Sequence, residues 1–72
     1  MRANVKPLTH WIIYKKYTVR FDERSPTSVR GTLSTPEGKV KFTYFPQTML
    51  IELPDRSIQI NDYGWEVEKH NG

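Results

Sequence analysis

The sequence predicts an all-β domain, a small antiparallel meander of five to six short strands, and three observations carry that prediction. Turn signals recur at short spacing: Asp22-Glu23-Arg24-Ser25-Pro26, Thr35-Pro36-Glu37-Gly38, Pro46-Gln47, Pro54-Asp55-Arg56 and Asn61-Asp62-Tyr63-Gly64. Proline presets the backbone angle of an early turn position, while glycine or asparagine accepts the positive angle a later one demands. The segments between the turns are rich in β-branched and aromatic side chains. Within them apolar and polar residues alternate with period two, as in a sheet with one buried face.

Taken in order, the first strand is expected within Thr9–Phe21. Ile12, Ile13, Tyr14 and Tyr17 favour a strand there, and no window shows a convincing helical period. Trp11, Ile13, Tyr17, Val19 and Phe21 share the inward parity, with Lys15 out of phase. A bulge near Lys15-Lys16 would reset that parity. Val29, Gly31 and Leu33 then alternate with Arg30, Thr32 and Ser34. Pro36-Glu37-Gly38 reads as a hairpin into Val40, Phe42 and Tyr44, which alternate with Lys39, Lys41, Thr43 and Phe45. Met49, Ile51 and Leu53 oppose Leu50 and Glu52, Ile58 and Ile60 oppose Ser57 and Gln59, and Trp65 and Val67 oppose Glu66 and Glu68.

A flat sheet of such strands exposes edges that recruit other chains, so a closed or nearly closed barrel of SH3-, OB- or Sm-like size, or a tight sandwich, is expected. Seventy-two residues make a single domain, 1–72, with residues 1–8 and 70–72 expected to be loose.

Composition removes several classes of function. The longest apolar run, Trp11-Ile12-Ile13-Tyr14, is far short of a membrane span, and no apolar segment follows the charges at the N-terminus. The chain has no cysteine, which excludes disulfides, thiolate metal sites and cysteine nucleophiles, and a cytoplasmic setting is expected. The formal net charge of +3 is unevenly spread: residues 1–41 carry nine basic and three acidic side chains, residues 42–72 two basic and five acidic. Such asymmetry suggests a charged partner.

No catalytic constellation is visible, and no enzyme, cofactor or metal is expected. His10 and His70 lie near opposite ends of the chain with no nucleophile beside them, and the four glycines are isolated, so no phosphate-cradling loop exists. Glu66 and Glu68 share a strand face, but it is the outward one, where solvated carboxylates are ordinary. Trp11, Tyr17, Phe21, Phe42, Tyr44 and Trp65 are expected in the core, with Trp65 also suited to cap one barrel end.

What remains is the outward set. Lys16, Arg20, Arg30, Lys39 and Lys41 take the polar parity on three successive strands, and Tyr14 and Phe45 are positioned to border them and stack on bases. A cationic sheet face of this kind attracts phosphate backbones, which makes a nucleic-acid-binding module the leading expectation. The alternative is a protein–protein interaction module, such as an adaptor, accessory subunit or small inhibitor. It would use an exposed sheet edge, an acidic partner surface, or an apolar patch of Leu50 with Ile12 and Tyr14. The opposed charges of the two halves also allow a homo-oligomer.

Overall fold

The computed structural model describes residues 4–67. They form one helix, α1 (Lys6–Lys15), followed by five strands: β1 (Thr18–Arg24), β2 (Val29–Thr35), β3 (Gly38–Phe45), β4 (Leu50–Glu52) and β5 (Ser57–Gln59). The strands make a single antiparallel sheet in the order β1-β2-β3-β4-β5. The all-β meander is therefore present, with one helix added.

That helix corrects the expected first strand. Pro7 lies in its first turn, where a missing N–H costs nothing, and the Thr9 N–H donates to the Val5 carbonyl at 2.9 Å. Leu8, Trp11 and Ile12 form an i, i+3, i+4 stripe, and all three are buried. The same geometry turns Ile13 outward and puts Ile12 in the core, the reverse of the strand parity, while Tyr14 faces outward as expected but from the helix. No bulge occurs at Lys15-Lys16. Lys16 instead ends the helix in the left-handed region (φ 60°), its N–H donating to Ile13 and that of Tyr17 to Ile12, in a Schellman arrangement. Residues 6–8, expected to be loose, belong to this helix, while 70–72 lie outside the described residues.

The inward parities of β2–β5 match the expectation. Val29, Leu33, Phe42, Tyr44, Ile51, Ile58 and Ile60 form the buried face, and Leu8, Trp11 and Ile12 of α1 cover it. Pro36 and Glu37 make the β2–β3 hairpin, with Thr35 paired to Gly38 and Gly38 at positive φ. A register shift does occur in the first strand, but between Phe21 and Glu23, where Asp22 is the extra residue.

Among the described residues β1 and β5 do not pair with one another, so the sheet is open and no barrel closes. With residues 6–15 in α1, the helix rather than a sixth strand shields the core. The end of the chain forms a bridge, Ile60 with Glu66, not a strand. Trp65 and Phe21 were expected in the core, yet Trp65 is 56% exposed and Phe21 37%. Tyr17 is half-buried, its ring set edge-on to Trp11.

Candidate nucleic-acid interface

The outer face of the sheet is ordered by its register. One row across three strands reads Thr18, Ser34, Lys39, and the next reads Arg20, Thr32, Lys41. Cross-strand neighbours stand about 5 Å apart and alternate residues of one strand about 7 Å apart. Three cations and three hydroxyls thus share the outer face, and the exposed Lys16 lies two residues before Thr18 at the end of α1. Lys16, Lys39 and Lys41 have no carboxylate oxygen within 4.0 Å among the described residues. Arg20 Nε lies 3.8 Å from Asp22 Oδ1, a long and solvated pair that leaves the guanidinium free to donate elsewhere.

Arg30 belongs to a different environment. Its row runs Glu23, Arg30, Thr43, Glu52, so carboxylates stand on both sides of it. The bulge adds Asp22, whose Oδ2 accepts from Thr32 Oγ1 at 3.4 Å. Asp22, Glu23 and Glu52 line a groove of about 490 Å³ together with Arg30, Lys41 and Thr43. The outer face is therefore cationic at its Thr18–Lys39 end and mixed at its Arg30–Glu52 end.

Tyr14 and Phe45 do not border this face together. Phe45 closes β3 opposite Leu50, both half-buried, three rows from Lys39 along the strand. Tyr14 stands on α1 and stacks on Trp65, ring centroids 4.2 Å apart and planes 10° from parallel. The anticipated apolar patch is dissolved as well, because Ile12 is core, Leu50 is half-buried and Tyr14 is taken up by Trp65.

The hairpin that brings Trp65 to α1 has its own local logic. Asn61 Oδ1 accepts from the N–H groups of Tyr63 (2.9 Å) and Trp65 (3.0 Å), and the Asn61 N–H donates to the Trp65 carbonyl. Gly64, at φ 85°, passes directly over α1. A Cβ there would lie 2.7 Å from the Pro7 carbonyl oxygen, from His10 Cβ and from the Trp11 nitrogen. Beyond it Glu66 Oε2 accepts from Trp11 Nε1 at 3.0 Å and pairs with Lys15 Nζ at 2.8 Å. These two hydrogen bonds hold its carboxyl below the usual carboxylate range. Glu66 is exposed as expected, yet it also clamps the hairpin to α1, and Glu68 lies outside the described residues.

Sequence parity does not reveal the Tyr14–Trp65 pair, because it places both residues on strands. The Asn61–Gly64 turn, followed by an aromatic and then an acid, was the available sign of a docking hairpin. His10 is half-buried on α1, its ring 6.4 Å from that of Tyr14, and His70 lies outside the described residues. Among the described residues no three His, Asp or Glu side chains converge as metal ligands, and no helix is long and apolar enough to cross a membrane. Comparison of the chain with protein-family models, with curated proteins and with solved structures finds no match in any of the three.

Proposed function

We propose that the protein is a non-enzymatic binding module that holds nucleic acid by its phosphate backbone. The observation that carries this reading is the register of β1, β2 and β3, which sets Arg20, Lys39 and Lys41 among the hydroxyls of Thr18, Thr32 and Ser34. Ammonium and guanidinium groups supply charge-assisted hydrogen bonds to phosphate oxygens, and neutral hydroxyls add donors without counter-charge. Lys16 extends the contact toward α1. Arg30 has no carboxylate oxygen within 4.0 Å among the described residues, but it shares its row with Glu23 and Glu52, which weakens its pull on an anionic ligand.

Fluorescence anisotropy of short labelled single strands and duplexes tests this reading. Four phosphate contacts correspond to a loss of affinity of about 50- to 150-fold between about 50 and 200 mM salt. The double variant Lys39→Glu, Lys41→Glu is expected to weaken binding and to flatten the logarithmic salt slope by about 1.5. Absence of binding by the native protein at low salt overturns the proposal.

A second reading, strand addition by a protein partner, rests on the outer edge of β1, which pairs with no strand among the described residues. The Asp22 bulge and the charged Arg20 and Arg24 are the features that discourage such pairing. The cationic rows therefore take precedence.

A further inference from the structure

Beside the Tyr14–Trp65 stack lies a recess of about 340 Å³, lined by Trp11, Tyr14, Lys15, Gly64, Trp65 and Glu66. Its aromatic rim is open to solvent: Tyr14 is 44% exposed, Trp65 56% and the neighbouring Tyr63 68%. Exposed, pre-stacked rings accept a further planar group at little conformational cost. The carboxylate within the recess is only half used. Trp11 Nε1 and Lys15 Nζ both converge on Glu66 Oε2, and no described residue donates to Oε1.

An aromatic surface with a carboxylate would also suit a cation, but two features of this one argue against it. The Lys15 ammonium already neutralises Glu66 and repels a second positive charge. With Oε2 occupied, an arginine fork finds one free oxygen where it needs two. A neutral planar ligand that offers one N–H donor meets both conditions. From the recess the chain runs through Lys15 and Lys16 into Thr18, the start of the cationic rows.

We infer that the recess is a base-binding subsite, in which an unpaired nucleobase stacks on the Tyr14–Trp65 pair and donates its exocyclic amino group to Glu66 Oε1. The inference rests on the phosphate-binding reading above and deepens it in two ways. It specifies single strands over duplexes, since a paired base offers neither its face nor a free amino edge. It also specifies adenine, cytosine or guanine over thymine or uracil, whose N3–H donor on the pairing edge is flanked by two carbonyl oxygens that a carboxylate repels.

The test compares short labelled deoxyadenosine, deoxycytidine and thymidine strands and a mixed-sequence duplex at one salt concentration, with acrylamide quenching of tryptophan as a second readout. Trp11 is buried, so quenching of the native protein reports on Trp65. The adenosine and cytidine strands are expected to bind several-fold more tightly than thymidine and to shield Trp65. Trp65→Ala is expected to cost the single strands about tenfold and to leave the duplex unchanged. In Glu66→Gln the Trp11 N–H retains the amide oxygen and the amide NH₂ turns to the recess, so the preference shifts toward thymine. Thermal melts establish that each variant is folded, and quenching of the native protein decides the question where one is not. Equal binding of all strands and the duplex, unaffected by Trp65→Ala, overturns this inference and leaves phosphate binding standing. No binding by the native protein at low salt overturns both. Shielding of Trp65 by an arginine-containing peptide and by no oligonucleotide overturns the base subsite in favour of a protein ligand.

Discussion

Gly64 is the residue on which the docking of α1 turns. Its positive φ is one that a side chain adopts only under strain, and the space a Cβ needs is filled by the Pro7 carbonyl, His10 Cβ and the Trp11 nitrogen. Two of those three atoms are backbone, so no rotamer change makes room. Gly64→Ala is therefore expected to cost about 2 kcal/mol or more, a large fraction of what a domain of this size possesses. Thermal denaturation followed by circular dichroism checks it, and an unchanged midpoint would show that α1 does not depend on this contact. The opposite sign is expected at Tyr44. Its ring is fully buried, but its hydroxyl has no hydrogen-bond partner among the described residues, and burial together with nearby Asp62 raises its pKa. A buried hydroxyl without a partner costs more than the methine it replaces, so Tyr44→Phe is expected to gain about 1 kcal/mol, or about 4–8 °C in Tm.

At the scale of elements the clamp between α1 and the 61–67 hairpin carries a pH dependence of definite sign. The carboxyl of Glu66 titrates below its ordinary value because Lys15 and the Trp11 indole bond the charged form, which outweighs its partial desolvation. A depressed carboxyl pKa contributes stability that is present above the unfolded value near 4.5 and is lost as pH falls through the lower folded value. Glu66→Gln is accordingly expected to be less stable than the native protein at neutral pH. The gap should narrow on acidification, which melts at a series of pH values will show. A gap that stays constant with pH would mean that packing, not charge, sets it.

The same elements show what was legible in the chain. The parities of Val29–Leu33, Val40–Tyr44 and Ile58–Ile60 translated directly into burial, because a strand with one wet face writes its orientation into every second residue. The segment Leu8–Tyr14 did not translate, because β-branched and aromatic residues obscured the i, i+3, i+4 stripe of Leu8, Trp11 and Ile12, and tertiary burial of that stripe overrode local preference. From that one misassignment follow the expected bulge and the misplacing of Tyr14. The closed barrel follows instead from the edge argument, which the helix over the buried face and the charged, bulged β1 edge answer without closure. Of the candidate site, the cationic rows Arg20–Lys41 and Lys39 were legible. The carboxylates beside Arg30 depend on how β1 meets β2 and β3 meets β4, and no local period reports that.

Across the whole molecule a meander preserves chain order in space, so a charge imbalance along the chain becomes an imbalance across the fold. Among the described residues, the basic side chains of the first 41 positions fall on α1, its C-cap Lys16 and β1–β3, while Glu52, Asp55, Asp62 and Glu66 lie from β4 onward. This polarity separates two explanations of nucleic-acid binding, a localised face or simple net charge. Replacing Lys39 and Lys41 with glutamine removes two positive charges from the outer rows. Replacing Lys6 and Arg56 with glutamine removes two from exposed positions elsewhere, at the start of α1 and in the β4–β5 turn. Net charge changes equally in both variants, but a phosphate track that follows the register loses contacts in the first alone. The first is expected to weaken binding about tenfold at low salt and to lower the salt slope by about 1.5, and the second to change affinity by less than about twofold. Equal losses in the two variants would assign the attraction to net charge and leave the ordered rows of β1, β2 and β3 without a role in recognition.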